Sequence, residues 1–266
     1  MTVSVLGGQY TLLRRMGEGA FGEVYAGWDN RLENEVAVKV ERTTALHPQL
    51  RIEARVYEQL HARYPTVFPR MYAFGRDGEF NVLVLQKLGV DLQTAFLSQQ
   101  SGVPTATVLK IGVAVLNKLE KLHDTGFVHR DLKPTNIMYD KDELHIIDFG
   151  LAKYMLTRQG NHIPKAQRKI FIGTARYASI WNHDGIEQSR RDDLASLGYT
   201  LAHLNLGQLP WHHIEDHGGV RDAKERFVPP PALRSFFDAV GALSFETRPD
   251  YMQLVNLLYT PGDIVI

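Results

Sequence analysis

The sequence has no cysteine. A disulfide framework, a thiolate metal site and a cysteine nucleophile are therefore excluded. It has no surplus charge either, because 30 basic side chains meet 30 acidic ones. No whole-molecule field draws the chain toward nucleic acid or an acidic membrane, although local basic patches remain open. Apolar runs never reach the roughly 18 residues that a spanning helix needs. Low-complexity tracts and repeats at solenoid or propeller periods are missing too. The opening stretch, MTVSVLGGQYTLLRR, lacks a charged start, a long apolar centre and a small-residue cleavage site. The expectation is an intracellular protein, cytoplasmic with the nucleus left open. It is expected to be a monomer with no nucleic-acid or membrane partner.

What is present is an ordinary globular composition, 44% hydrophobic and 10% aromatic over 266 residues. That length suits one large domain or two lobes sharing an interface. The first ~85 residues read as mostly strand. Tyr10–Met16, Val24–Trp28 and Val36–Val40 are β-prone runs broken by Gly, Asp or Asn. A helix is predicted over about Pro48–Arg63, with Ile52, Val56 and Leu60 as its buried stripe. Two strands follow near Met71–Phe74 and Phe80–Leu85, around the turn-forming Asp77-Gly78. Beyond Leu88-Gly89 the pattern turns helical. Val108, Ile111, Val115, Leu119 and Leu122 mark an amphipathic helix over Thr105–Asp124, stopped by Gly126. Leu194, Leu197, Leu201 and Leu204 repeat the signal over 190–206, with Ser189 as its cap. Leu233, Phe236, Phe237 and Val240 mark a further helix after three prolines.

The chemistry begins with GEGAFGEV, Gly17 to Val24. Alone, a G-x-G-x-x-G string is weak, and a flexible hairpin turn explains it as well. Its glycines sit between two strand patterns rather than between a strand and a helix, which argues against a dinucleotide-binding Rossmann unit. In such a hairpin Gly17, Gly19 and Gly22 can bring backbone N–H groups onto phosphate oxygens, with Val24 over an adenine ring. Lys39 follows 17 residues after Gly22 inside the apolar run VAVKV. A lysine there either snorkels to solvent or holds phosphates, fixed by a carboxylate from the next helix. Glu53 is the first choice for that carboxylate and Glu58 the second.

HRDLKPTN at His129–Asn136 and IIDFG at Ile146–Gly150 decide the reading. At about one in twenty per position, six matches to the catalytic-loop pattern arise by chance on the order of once in 10⁵ to 10⁶ chains. Phosphoryl transfer needs a carboxylate to orient the attacking hydroxyl, hard oxygen ligands for Mg²⁺, and cations against the γ-phosphate. Asp131 suits the first role, Asn136 with Asp148 the second, and Lys133 with Lys39 the third.

With GxGxxGxV, VAVK, HRDLKxxN and DFG in order, the chain resembles a eukaryotic protein kinase. GTARYASI, GIEQSRRDDLASLGY, LPW and FETRPDY are similar to the casein kinase 1 family. The resemblance covers nearly the whole chain. It implies an α+β bilobal protein-kinase fold: a small antiparallel β-sheet lobe with one helix over 1–85, a hinge over 86–90, and a larger mainly helical lobe over 91–266. It further implies ATP and Mg²⁺ as cofactors, and transfer of the γ-phosphate to Ser or Thr of protein substrates. Lys133 and Gly173-Thr174 favour Ser/Thr over Tyr as acceptor. By the same likeness Leu85 guards a back pocket, and Gln86, Lys87 and Leu88 bond the adenine edge through their backbones. Ala37 and Met138 sandwich the ring. Asp91 contacts the ribose or caps the helix that starts there. Asp193 supports the catalytic-loop backbone.

Two departures from the general pattern stand out. Ser179-Ile180-Trp181 stands where most kinases carry Ala-Pro-Glu; the casein kinase 1 family also lacks that triplet, and Trp181 is less usual. Between Arg158 and Ile172 there is no Ser, Thr or Tyr to carry a phosphate toward Arg130. Constitutive activity is therefore expected. Arg168, Lys169 and Arg176 form either a small anion site favouring acidic or phosphate-primed substrates, or a solvated basic loop. After Trp211 the chain is short for that subfamily. His212, His213 and His217 read as an exposed loop rather than a metal cluster, and Arg221, Lys224 and Arg226 as remaining positive charge there. The end at Ile266 leaves no regulatory tail in this reading. A nucleotide-binding pseudokinase and a small-molecule kinase remain the alternatives.

Overall fold

A computed structural model describes residues 3–19, 22–97 and 102–259. Ala20 and Phe21, inside the glycine-rich string, lie outside the described residues, as does the chain end at 260–266. The chain divides into two compact units, residues 1–89 with 147–152, and residues 90–146 with 153–266.

The first unit is a six-stranded antiparallel sheet with one helix. Its strands are β1 (Val3–Val5), β2 (Tyr10–Gly19), β3 (Gly22–Asp29), β4 (Asn34–Arg42), β5 (Met71–Asp77) and β6 (Phe80–Gln86), and its helix is α1 (Leu50–Arg63). The strand order is β1-β2-β3-β4-β6-β5. Side chains alternate across a strand. Val36 and Val38 of β4 thus pack with Val82 and Val84 of β6, over Val5 and Tyr10, on one face. Ala37, Lys39 and Glu41 fall on the other, opposite Leu85, Leu83 and Asn81 of β6. Residues 147–152 join this unit because Phe149 buries its ring edge-on against Tyr57 and Phe68, with centroids 5.0 and 6.1 Å away.

The predicted stripe on α1 needs one correction. Val56 and Leu60 are buried, but Ile52 is 42% exposed. The buried face runs instead through Leu50, Glu53, Ala54, Val56, Tyr57 and Leu60. Steps of four overshoot a 3.6-residue turn by about 40°, so a strict i, i+4 row drifts off the face.

The second unit is mainly helical. It contains α2 (Thr105–Asp124), the short strands β7 (Phe127–Val128), β8 (Ile137–Asp140), β9 (Glu143–Ile146) and β10 (Lys153–Tyr154), then α3 (Ile180–His183), α4 (Arg190–Leu206), α5 (His217–Glu225), α6 (Arg234–Gly241) and α7 (Tyr251–Leu258). α2 is the axis, packed against α4 and α7. Its five predicted core residues are all buried, a gross gain of about 10 kcal/mol before ordering costs. Gly126 follows it in the left-handed region, at φ 88°. At the start of α4 the Asp192 carboxylate accepts from the Ser189 amide at 2.8 Å, one half of a capping box. All four predicted leucines of α4 are buried.

The loop expected after Trp211 is partly wrong. Asp216 caps Gly219, and a helix begins at His217 and runs through the double glycine. Val220 and Lys224 form its buried edge, and that packing overrides the poor helix propensity of glycine. Lys224 is consequently not surface charge; it is 3% exposed. Among the described residues no helix is long and apolar enough to cross a membrane.

Candidate active site

In the first unit, β4 delivers Lys39 to α1. Its Nζ donates to Glu53 Oε1 and Oε2, at 2.7 and 2.9 Å, and to Asp148 Oδ1 at 3.2 Å. Of the two carboxylates proposed for it, Glu53 is the partner; Glu58 is exposed. Burial works against the ammonium, but Asp148 and Glu53 outweigh it and hold the amine above its ordinary range. The Glu53 carboxyl is raised by burial, with Asp148 adding and Lys39 opposing. A cavity of about 90 Å³ opens onto Lys39, Glu53 and Asp148, with Gly22, Val24 and Gln49 also in its wall.

The glycines of the string lie on the paired strands β2 and β3. Gly17 faces Val24 in the register, and Gly19 faces Gly22. Gly22 takes φ 144°, and a Cβ there would stand 2.2 Å from the Val40 carbonyl oxygen. Only glycine fits that approach. Ala37 pairs with Leu85, and Val36 with Gln86. The Gln86 amide already donates to the Arg70 carbonyl at 2.7 Å. Lys87 bonds Glu35, and Leu88 is buried.

In the second unit, the catalytic-loop sequence bends through Arg130, which takes φ 69°. Asp193, from α4, accepts from the backbone amides of His129 and Arg130 at 2.7 and 2.9 Å, and its Oδ2 lies 2.9 Å from His123 Nε2. Burial raises this carboxyl, but His123 and the amide bonds reverse the direction and leave it below its usual range. The role expected of Asp193 is in place.

Asp131 holds three partners. Oδ2 accepts from Lys133 Nζ at 2.7 Å and from Asn136 Nδ2 at 3.4 Å, and Oδ1 accepts from Thr174 Oγ1 at 2.7 Å. Lys133 also donates to Thr174 Oγ1 at 3.0 Å. The nitrogen of Asn136 further bonds the Asp131 carbonyl, so its amide oxygen is the atom with lone pairs to offer. Met138, on β8, bridges to Asp91. Both Asp91 carboxylate oxygens accept from Thr94, so its capping role is in place.

The three proposed anion-site residues meet different partners. Arg168 bonds Asn182 at 2.8 Å and lies 3.4 Å from Glu187. Arg176 donates to the His212 carbonyl, and Lys169 is exposed. Glu187 was not foreseen. Its carboxylate collects Lys153 at 2.7 Å, Arg168, and Arg130 at 3.8 Å. Burial, with Arg168 adding, lowers the Arg130 guanidinium to about 10 against the pull of Glu187. The missing phosphate acceptor opposite Arg130 was the available signal that another anion must stand there. His212, His213 and His217 are exposed, and no three-residue metal cluster of His, Asp or Glu occurs among the described residues.

The family model described as "Protein kinase domain" matches residues 10–236. The chain belongs to the protein kinase family. The strand-rich first unit and helical second unit are the two lobes of the kinase fold, and the expected fold class holds. Kinase membership carries phosphotransfer, with ATP and typically Mg²⁺, to protein substrates. Oxygen donors suit that ion: Mg²⁺ is commonly held by one or two protein oxygens plus substrate phosphates. Each unit offers one such donor, the Asp148 carboxylate in the first and the Asn136 amide oxygen in the second.

Proposed function

We propose that this kinase is an active serine/threonine protein kinase of the casein kinase 1 type, phosphorylating Ser and Thr in cytoplasmic and nuclear proteins as a monomer. Lys39, held by Glu53, binds the α and β phosphates. Asp131 accepts the hydrogen bond of the incoming hydroxyl and takes its proton. Lys133, bonded to the same carboxylate, balances charge on the transferring group. Asn136 and Asp148 each offer an oxygen donor of the kind Mg²⁺ takes, and the ion, when bound, would neutralise the phosphate oxygens. In the first unit the glycines of β2 and β3, with Val24, Ala37, Leu85 and Leu88, frame the nucleotide. The backbone of Gln86 contacts its base.

The observation that carries this reading is the closed triangle of Asp131, Lys133 and Thr174. The proton acceptor is already oriented, and a cation stands beside it. Incubation with MgATP and casein is expected to yield phosphoserine and phosphothreonine. Asp131→Asn is expected to abolish the transfer while leaving the melting temperature near wild type. A well-folded wild type that transfers nothing to protein would overturn the proposal.

Regulation follows from the segment 158–172, which has no hydroxyl acceptor, and from Glu187, whose carboxylate meets Arg130 without modification. Activity is constitutive, and phosphatase treatment leaves it unchanged. Arg168, Lys169 and Arg176 favour an acidic or phosphorylated residue three positions before the acceptor. Equal turnover of a peptide pair differing only there would remove that preference.

A further inference from the structure

Strand β4 touches helix α1 at two points, and the reaction scheme uses only one. Lys39 and Glu41 lie two positions apart, so both project from the same face of the strand. Lys39 meets Glu53, one turn into the helix. Glu41 meets the helix start: its Oε1 accepts from the backbone amides of Gln49 and Leu50, at 2.5 and 3.3 Å. Its Oε2 accepts from Asn81 Nδ2 at 3.2 Å, and Asn81 stands directly opposite on β6. The carboxylate is 1% exposed. Among the described residues it pairs with no lysine or arginine, so its charge is met by amides at the positive end of the helix dipole.

The helix needs this help. Gln49, at its N-cap position, offers no side-chain cap, so the free amides are satisfied from outside the helix. The Gln49 side chain lies instead on Gly150, where an added Cβ would stand 2.7 Å from its Oε1. Glu41, Gln49 and Gly150 thus form a chain of contacts ending two residues from Asp148.

We propose that Glu41 is a positioning residue for the phosphate-binding pair. The apolar face of α1 packs on β5 and β6, but such packing is non-directional and leaves rotation about a single side-chain tether poorly fixed. A second tether one turn away, from the same strand face, fixes its rotation and height and presents Glu53 to Lys39. The inference rests on the nucleotide-binding reading of Lys39.

The test compares wild type, Glu41→Gln and Glu41→Ala in steady-state kinetics with MgATP and casein. Melting temperature and hydrogen exchange at the Gln49 and Leu50 amides are followed in parallel. In Glu41→Ala, kcat/KM for MgATP falls on the order of tenfold or more, with the KM for MgATP raised and that for casein unchanged. Exchange at Gln49 and Leu50 accelerates. Glu41→Gln keeps an acceptor for the amides, and the Asn81 amide can turn its oxygen to the new NH₂, so most activity returns. If Glu41→Ala does not fold, Glu41→Asp, one methylene short of the helix, is expected to show the same selective rise in KM for MgATP. A folded variant with wild-type KM for MgATP, or with both KM values moved alike, overturns the proposal. A wild type unable to phosphorylate casein would sink the kinase reading instead, and exchange at the two amides would still report on Glu41.

Discussion

Asp193→Asn is the sharpest available probe of the catalytic loop. In wild type, Oδ2 serves the His129 amide and His123, and Oδ1 serves the Arg130 amide. Asparagine retains the volume but turns one acceptor into a donor. Its best orientation keeps oxygen at the doubly used position and sets NH₂ against the Arg130 N–H. That leaves a buried amide unsatisfied, at about 1–3 kcal/mol. The two remaining bonds lose their charge, about 0.5 kcal/mol each. Arg130 also loses the contact that holds it at φ 69°, a conformation unfavourable for a non-glycine residue. The sum is about 3 kcal/mol, or a fall in Tm of roughly 6–12 °C for a chain of this size. Urea unfolding and calorimetry read it, and kcat falls as the loop relaxes. The sign with pH is fixed as well. A carboxyl depressed in the folded state adds stability above its unfolded value and loses it as pH falls through the folded one. Wild type and variant therefore converge in acid. A loss below about 1 kcal/mol at pH 7 would refute this account of the loop.

Lys39→Met leaves Glu53 buried without its cation, so about 3 kcal/mol of stability and about 10²-fold in kcat/KM should go together; near-wild-type kcat/KM would contradict the phosphate role. Burial lowers the Lys224 amine to about 6, so the unfolded chain binds that proton more tightly and stability should climb from pH 6 toward 10. In Lys224→Met that part of the climb should vanish from a Tm-versus-pH series, and an unchanged slope would refute it. Gly173→Ala should cost about 2 kcal/mol and most activity, because Gly173 sits at φ 103° and its Cβ would lie 2.4 Å from the Arg130 carbonyl oxygen. A variant of wild-type Tm would show that the backbone there can yield.

Where one rule governed a segment, the sequence was easy to read. α2 has its apolar residues at helical spacing and a glycine to stop it, and every predicted core position is buried. The Asp131 loop was equally plain, because phosphoryl transfer asks for a small set of side chains in a fixed order. Segments answering to two rules were harder. The glycines at the start of α5 spoke for a loop, while the burial of Val220 and Lys224 decided for a helix. Lys224 in particular looks like surface charge in one dimension. In three, its side-chain nitrogen donates to the carbonyl of Ala175 at 2.7 Å and to that of Ala178, and it lies over the faces of Tyr199 and Trp211. No local pattern announces partners that are 46 and 49 residues away.

Helix α1 shows the same limit at the site itself. Hydrophobic periodicity chose Ile52, Val56 and Leu60 and so turned the helix slightly too far, placing Glu53 beside the buried face. The chemical requirement corrected it: a lysine inside an apolar strand demands a carboxylate, and Glu53 was the nearest in reach. The structure places that carboxylate on the buried face, where a scale that rewards only apolar residues cannot see it. Glu41 escaped both tests, being polar in a strand and next to the VAVKV run without belonging to it. Its partners are backbone amides, which every residue but proline possesses and which no composition records. The residues to which the proposed chemistry assigns substrate are therefore the ones a sequence pattern finds. Residues that hold the helix carrying them become visible only when the hydrogen bonds of its first turn are accounted for one by one.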